Sequence, residues 1–208
     1  MPTTPLLPCV ALLGPDGSGK TTVLQYLESN LTLPGVAGIK TIHRGDLLRT
    51  SADPPGEITH YAKPAYDPVR SIGKLLVRAW EWRALYHGRV AEQRAQGYLV
   101  FLDRYYLFDL YVDPLRYRYG GPLPLVRQMA DWMPKPDLIL LLDAPAEILL
   151  ARKQEVSAQE IVRQREAYLQ LVKPLPNGHI LDATQPVAVV GAEVRKRVEG
   201  WMTKENHG

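Results

Sequence analysis

The chain has 208 residues, of which 46% are hydrophobic and 23% charged, a composition typical of a globular protein of one domain. Its formal net charge of +3 is too small to predict a nucleic-acid coat, and a single cysteine excludes an internal disulfide. The apolar stretch at residues 6–13 is too short for a signal peptide or a membrane span, so we expect a cytoplasmic protein with no nucleic-acid or membrane partner.

Short apolar runs alternate with longer amphipathic stretches, which is the pattern of a parallel sheet covered by helices. The runs predict five strands, in LLPCVALLG (6–14), GIKTIHRG (38–45), YLVFLDRYY (98–106), PDLILLLDAP (136–145) and GHILDAT (178–184). Helical spacing predicts a helix after the first strand, a long helical region over about 68–96 and a closing helix over 186–202.

Two proline-rich segments interrupt this alternation after the second and third strands. They are SADPPGEITHYAKPAYDP (51–68) and YVDPLRYRYGGPLPL (111–125), and they fall on the side where doubly wound sheets bind ligands. Between Lys63 and Arg94 the chain carries seven Lys or Arg residues against three acidic ones. This local excess either serves an anionic small molecule or forms a solvated helix face.

The segment GPDGSGKTT (14–22) carries a phosphate-binding motif, G-x-x-x-x-G-K-[ST], with a predicted strand before it and a helix after it. Glycines let backbone N–H groups converge on phosphate oxygens, and the helix N-terminus adds positive potential. Lys20 would reach the β- and γ-phosphates, and Thr21 would offer a hydroxyl to Mg²⁺. The expected ATP-binding residues of this loop are Gly14, Asp16, Gly17, Ser18, Gly19, Lys20, Thr21 and Thr22.

A second motif, DRYY (103–106), ends the third predicted strand. Asp103 can hold Mg²⁺ or accept a proton there, and Arg104 can clamp a phosphate in a planar, bidentate way. The alternative is a turn at the strand end with a surface ion pair. A phosphate loop on the neighbouring strand favours the functional interpretation, in which Arg104 and Tyr105 bind the substrate.

Together, GPDGSGKTT, GYLVFLDRYY and LDAPAEILLARKQE resemble the thymidylate kinases, whose pattern runs G-x-D-G-x-G-K-[ST]-T, D-R-[YH], then L-D-x-P. The resemblance implies one P-loop kinase domain over 1–208, an α/β three-layer fold with a five-stranded parallel sheet and helices on both faces. It implies ATP and Mg²⁺ as cofactors, with Thr21 and Asp103 at the metal and Arg152 near the adenine. It also implies a short lid over about 154–168, whose Arg163 and Arg165 would reach the transferring phosphoryl group.

The acceptor side departs from the thymidylate kinase pattern. HRGDLLRTS (43–51) replaces R-E-P-G-G-T after the second strand, with Arg44 as the candidate to keep the phosphate-binding role. Arg83 stands one position from the expected thymine-reading arginine, and we expect Arg44, Arg83 and Arg116 to bind the substrate. DPLRYRYGG (113–121), with Arg116, replaces Y-Q-G and is similar to thymidylate-kinase-like proteins of bacterial polysaccharide gene sets.

These departures leave three hypotheses open. The chain could phosphorylate a nucleoside monophosphate, phosphorylate another anionic metabolite such as a sugar phosphate, or be a nucleotide-binding ATPase without an acceptor. The complete DRY motif and the arginine-bearing lid argue against the third. The expected partner is a small-molecule phosphoryl acceptor, and a homodimer is one expected assembly.

Asp16 is unusual because it places a carboxylate inside a loop that binds phosphate. Facing a bound triphosphate would be costly in a dry site, so we expect its side chain to turn toward the acceptor pocket beside Asp103. The resemblance to the thymidylate kinases implies that Asp16 accepts a hydrogen bond from an acceptor hydroxyl or orients Arg104 and Arg44. The alternative is a hydrogen bond from a nearby backbone N–H that stabilises the loop. We count Lys20, Asp103, Arg104, Asp16, Arg163 and Arg165 as the expected catalytic residues.

Overall fold

The computed structural model describes residues 7–43, 63–153 and 156–205, and in these ranges five parallel strands form one sheet. The strands are β1 (Cys9–Leu13), β2 (Gly38–His43), β3 (Tyr98–Asp103), β4 (Leu138–Asp143) and β5 (Gly178–Asp182). Their order across the sheet is β2-β3-β1-β4-β5. This arrangement confirms the predicted strands and the three-layer α/β fold of the P-loop NTPases.

Nine helical segments lie in the described ranges. They are α1 (Lys20–Asn30), α2 (Pro68–Leu85), a π-helical segment (Tyr86–Val90), α3 (Ala91–Ala95), α4 (Tyr106–Val112), α5 (Leu123–Trp132), α6 (Ala146–Arg152), α7 (Ala158–Val172) and α8 (Val187–Glu205). The long predicted helical region is confirmed, with a π segment inside it. Helices α4 and α5 were not predicted, because prolines and glycines at 114–124 mask the helical spacing on either side.

The sheet is buried on both faces, which explains why its central strands read as continuous apolar runs. Successive side chains of β1 point to opposite faces: Ala11 and Leu13 join one core cluster, and Val10 and Leu12 join the other. Each face is therefore covered by its own layer of helices. No helix in the described part of the chain is both long and apolar enough to cross a membrane.

The carboxyl ends of the strands define the edge at which the loops meet. In the register of the sheet, Asp103 pairs with Leu12 of β1 and with His43 of β2. Asp143 ends β4 on the other side of β1. Because parallel strands present their carboxyl ends at one edge, the loop after β1 and the chain after β3 lie beside each other there.

Candidate active site

The loop after β1 has the backbone that the phosphate-binding motif requires. Gly19, the residue before α1, has a φ of 85°, and nothing lies within 4 Å of where a Cβ would stand. Gly17 has a φ of 82°, and a Cβ there would collide with the carbonyl of Leu149 on α6. Both positions therefore require glycine, and the loop leads directly into the N-terminus of an 11-residue helix.

Lys20 is enclosed by this loop and is only 7% exposed. Its Nζ donates to the carbonyl oxygens of Gly14 (2.7 Å) and Pro15 (2.9 Å) and to Ser18 Oγ (3.2 Å). Burial and the nearby Arg104 guanidinium lower the pKa of Lys20 to about 7. The loop thus holds a cation at the start of α1, where a phosphate chain would gain most from it.

Beside the loop lies a cavity of about 440 Å³ that reaches the connection between β5 and α8. Its lining includes Ser18, Gly19 and Thr22 of the loop, Arg152 of α6 and Gln185. Arg152 donates to the carbonyl of Ala183 (2.8 Å), which fixes its guanidinium at the rim. Arg152 and three of the predicted loop residues therefore line one cavity.

Asp16 points away from the loop's N–H groups and toward two arginines. Its Oδ1 accepts from Arg104 Nη2 (2.6 Å), and its Oδ2 accepts from Arg116 Nη2. Among the described residues, no backbone N–H donates to this carboxylate. The contact with Arg104 agrees with the predicted orientation, whereas Arg44 lies outside the described residues.

Opposing effects act on the Asp16 carboxyl group, which is 6% exposed. Burial raises its pKa. The positive charges of Arg104, Arg116 and Lys20 lower it by more than burial raises it, so the pKa lies well below the usual value. Asp16 is consequently ionised at neutral pH and neutralises part of the positive charge around it.

Arg104 connects the phosphate loop to a second buried carboxylate, Asp109 of α4. Arg104 Nη1 donates to Asp109 Oδ1 (2.6 Å), and Asp109 also accepts from the hydroxyls of Tyr168 (2.5 Å) and Tyr117 (2.5 Å). Asp109 is 0% exposed; burial raises its pKa, but Arg104 and the two tyrosine hydroxyls lower it well below the usual value. Sequence reasoning missed Asp109, Tyr117 and Tyr168.

The backbone of Arg104 is itself unusual, because its φ of 78° lies in the left-handed region. Its N–H donates to the carbonyl of Leu12 (3.2 Å), so the residue is held against β1 while the chain turns out of the sheet. Non-glycine residues adopt this conformation at a cost, and such residues cluster at functional sites.

Arg116, a predicted substrate-binding residue, is held from both sides. Its Nε donates to Asp113 Oδ2 (3.1 Å), its backbone N–H donates to Asp113 Oδ1 (3.1 Å), and its Nη2 reaches Asp16. The segment 113–117 thus places two further side chains, Arg116 and Tyr117, on the carboxylates that Arg104 contacts. We call Asp16, Arg104, Asp109, Arg116, Tyr117 and Tyr168 the acceptor-side network.

The two predicted metal ligands lie on neighbouring elements of the same sheet edge. Asp103 ends β3 with a side chain 22% exposed, and its Oδ2 lies 3.3 Å from His43 Nδ1. Thr21 is exposed in the first turn of α1. No group of three or more metal-ligating side chains occurs among the described residues. A hydroxyl and a carboxylate nevertheless fit Mg²⁺, which usually takes only one or two protein ligands when substrate phosphates supply others.

The structure does not bring every predicted residue to this network. In α7, Arg163 pairs with Glu160 and donates to the carbonyl of Val112 (2.6 Å), while Arg165 forms a bidentate pair with Asp143 (2.7 and 2.9 Å). The same helix instead delivers Tyr168 to Asp109. Most of the predicted lid is therefore helical, beginning at the Ser157 cap, and residues 154–155 lie outside the described ranges.

Tyr105 and Arg83, both predicted to bind substrate, lie elsewhere. Tyr105 is 0% exposed and packs edge-on against Trp82, with its hydroxyl 3.5 Å from the carbonyl of Pro134. Its aromatic ring is thus part of the core beneath the site. Arg83 is exposed on α2 and forms no ion pair with the acceptor-side network in the described part of the chain.

The amino-acid sequence of the chain is similar to those of known proteins. No protein-family model matches the chain. It is 30% identical over 202 residues to a thymidylate kinase of Xylella fastidiosa strain M12, covering 86% of this chain and 82% of that protein. A probable thymidylate kinase of Archaeoglobus fulgidus is 29% identical over 201 residues (93% and 95%), and a thymidylate kinase of Blochmanniella pennsylvanica is 26% identical over 216 residues (94% and 96%). The chain therefore belongs to the thymidylate kinase family and is a nucleoside monophosphate kinase-like phosphotransferase.

Proposed function

We propose that residues 1–208 act as one P-loop kinase domain that transfers the γ-phosphoryl group of ATP to a nucleoside monophosphate-like acceptor. The observation that carries this proposal is the position of Asp16, a phosphate-loop residue whose two carboxylate oxygens are bound by Arg104 and Arg116. These arginines come from the chain that follows β3, so the donor loop and the acceptor-side network are joined directly.

The phosphate loop would bind the donor ATP, and Arg104 with Asp16 would bind and position the acceptor. The N–H groups of residues 17–22 and the ammonium of Lys20 would bind the β- and γ-phosphates and stabilise the charge that develops during transfer. Arg104 would hold the acceptor's own phosphate in line with the γ-phosphorus. Asp16 would orient Arg104 and Arg116 and prevent them from pairing with the phosphates of ATP.

Thr21 and Asp103 would hold Mg²⁺, which neutralises negative charge on the β- and γ-phosphates when it is bound. Arg152 would contact the adenine, because it lines the cavity beside Gly19 and Thr22. Arg163 and Arg165 would exchange Glu160 and Asp143 for phosphoryl oxygens when both substrates are bound. Each exchange replaces one charge-assisted pair with another, which limits its cost.

The acceptor can be identified with a panel of nucleoside monophosphates and sugar phosphates, scored by acceptor-dependent release of ADP. We expect a nucleoside monophosphate to give the highest kcat/KM. Thymidylate itself should be a poor acceptor, because Arg83 points to solvent and a base-reading site loses its ligand when its polar partners are missing. ADP release that is independent of every acceptor would contradict the proposal.

Replacing Asp16 by asparagine separates its acceptor role from loop architecture. The change keeps the size of the side chain but removes the charge that binds Arg104 and Arg116. We expect kcat/KM for the acceptor to fall about ten- to a hundredfold, while ATP binds equally well or more tightly. Steady-state kinetics and ATP titration measure both, and weaker ATP binding with unchanged acceptor kinetics would contradict the assignment.

Arg104→Lys tests whether the Arg104 guanidinium holds the phosphate of the acceptor. A lysine supplies one point charge, whereas the Arg104 guanidinium reaches Asp16 with Nη2 and Asp109 with Nη1. The acceptor KM should therefore rise about tenfold or more, with the dissociation constant of ATP nearly unchanged. If both constants rise equally, the substitution has disrupted the whole site and Arg104 is not specific to the acceptor.

We also propose that the protein forms a homodimer through α2. This helix exposes Val69, Leu76, Val77 and Trp80, of which Trp80 is 71% exposed. Their spacing of seven, one and three residues puts them on one stripe of the helix, as in a helix–helix seam. Sedimentation of the wild type should give twice the chain mass, and Trp80→Glu should give a monomer; a monomeric wild type at micromolar concentration would overturn this.

A further inference from the structure

Three cations surround the ring of Tyr66. The charged groups of Arg70, Lys74 and Arg118 lie 4.3, 4.5 and 4.1 Å from the ring centroid. Arg70 and Lys74 are exposed on α2, and Arg118 is half-buried in the proline-rich segment after α4. We call these four residues the Tyr66 cluster.

The charges of the Tyr66 cluster are not neutralised by the described residues. None of its three cations forms an ion pair with a carboxylate within the ranges 7–43, 63–153 and 156–205. Asp67 is close in sequence, but its carboxylate caps α2 by accepting from the backbone N–H of Arg70 (2.9 Å). Three like charges around one ring repel each other, and a single ring has only two faces to offer them.

The position of the cluster on α2 adds to this repulsion. Arg70 and Lys74 lie in the first two turns of an 18-residue helix, whose N-terminus carries positive potential and whose first turn contains no acidic residue. Basic side chains are disfavoured at such a place. The arrangement therefore costs stability unless an anion binds to it.

Arg118 is nevertheless fixed in place. Its Nε donates to the carbonyl of Pro64 (2.9 Å), its Nη1 donates to the Tyr66 hydroxyl (3.1 Å), and its backbone has a φ of 52° in the left-handed region. The Tyr66 N–H donates back to the carbonyl of Arg118 (2.8 Å). A side chain held this firmly in an unfavourable backbone conformation is typical of a binding site rather than of a solvated surface.

One residue of the cluster, Arg118, follows closely in the chain on a residue of the acceptor-side network. Arg118 is two residues from Arg116, which binds Asp16 of the phosphate loop, and two residues of chain span at most about 7 Å. One short segment therefore delivers one arginine to the phosphate loop and another to Tyr66.

We infer that the Tyr66 cluster is an anion-binding subsite that recognises a second phosphate group on the phosphoryl acceptor. Guanidinium groups fit phosphate oxygens bidentately, and Lys74 adds a point charge. This inference rests on the proposed function and narrows it: among nucleoside monophosphate-like acceptors, the preferred one carries a second phosphate, which Arg118 would bind while Arg104 binds the first.

Inorganic phosphate serves as the probe, with the donor site saturated by Mg²⁺ and a non-hydrolysable ATP analogue. In ¹⁵N-labelled protein, phosphate should shift the Arg118 Nε–Hε resonance and the backbone amide of Tyr66, which donates to the Arg118 carbonyl. Potassium acetate at equal ionic strength should not shift them. Shifts confined to Arg104 and Arg116, or equal shifts with acetate, would overturn the inference.

Charge variants then localise the binding. Among the described residues, Lys74→Gln removes no side-chain hydrogen bond. Together with Arg70→Gln it should weaken phosphate binding about tenfold, whereas Lys196→Gln on the exposed face of α8 should leave it unchanged. Equal dissociation constants in the double variant and the control would overturn the inference. Binding of the ATP analogue in these samples, and acceptor-dependent ADP release measured with ATP in separate samples of each variant, report separately on the proposed function.

Lys74→Glu should change the melting temperature and phosphate binding in opposite directions, which is not expected of a lysine that is only solvated. A carboxylate between Arg70 and Arg118 relieves the repulsion, so the variant should melt at a higher temperature than the wild type while binding phosphate at least tenfold more weakly. A higher melting temperature with unchanged phosphate binding would show that the cluster is not an anion site.

Discussion

Lys20→Ala is expected to lower the turnover number about a thousandfold, the scale of a positive charge on the transferring phosphoryl group. Lys20 is the buried cation of the phosphate loop, within 3.2 Å of three loop oxygens. Its removal takes away the charge that would follow the γ-phosphate, and no other lysine lies in the loop. Acceptor-dependent ADP release at saturating ATP measures the effect.

The Lys20→Ala protein should still fold. Burial lowers the pKa of Lys20 to about 7 from 10.5, so between these pH values the unfolded chain binds more protons and stability rises with pH. Below pH 7 the buried charge therefore opposes folding, and alanine removes that cost. Lys196→Ala, on the exposed face of α8, is the matched control. A folded Lys20→Ala protein with near-normal turnover would contradict the phosphate-loop assignment.

Asp109→Asn is expected to reduce the free energy of unfolding by about 3–5 kcal/mol, because it breaks the fully buried ion pair with Arg104 and leaves Asp16, which Arg116 also binds, as the remaining carboxylate on that guanidinium. Asp109 is 0% exposed and accepts hydrogen bonds from Arg104, Tyr117 and Tyr168. Urea unfolding at pH 7 measures the change. Asp131→Asn, whose side chain is 65% exposed and pairs with Lys135, should have little effect.

The effect of Asp109→Asn should depend on pH in a defined direction. Against the opposing effect of burial, Arg104 and two tyrosine hydroxyls hold the pKa of Asp109 below its usual value of 3.8. The stabilisation is therefore complete above pH 3.8 and is lost as the pH falls through the folded-state pKa. The gap between wild type and Asp109→Asn should narrow below pH 4. A gap that stays constant from pH 7 to pH 3 would mean that the ionised carboxylate is not what stabilises this network.

The strands and the phosphate loop could be predicted because their signals are local. A buried parallel strand is an apolar run in the sequence, and Gly19 and Lys20 follow one directly. The orientation of Asp16 could also be predicted, since a carboxylate is repelled from a phosphate cradle and must find cations elsewhere. Each of these inferences depends on one short segment.

The rest of the acceptor-side network could not be predicted in this way. Asp109, Tyr117 and Tyr168 come from α4, the segment after it and α7, and only the folded chain brings their side chains together. The sequence around α4 shows no helical periodicity of apolar residues, because prolines interrupt the segment that follows it. Tyr105 stands in the DRYY motif, yet its side chain turns into the core, since the chain leaves β3 with Arg104 in a left-handed conformation.

The fate of the γ-phosphoryl group tests the central claim most directly. ATP labelled with ³²P at the γ-position is incubated with the wild-type protein, Mg²⁺ and a nucleoside monophosphate, and the products are separated by chromatography. Transfer predicts label in a nucleoside diphosphate, at a rate that Asp16→Asn lowers about ten- to a hundredfold. Label that appears only as inorganic phosphate, at the same rate with and without acceptor, would contradict the account and identify an ATPase instead.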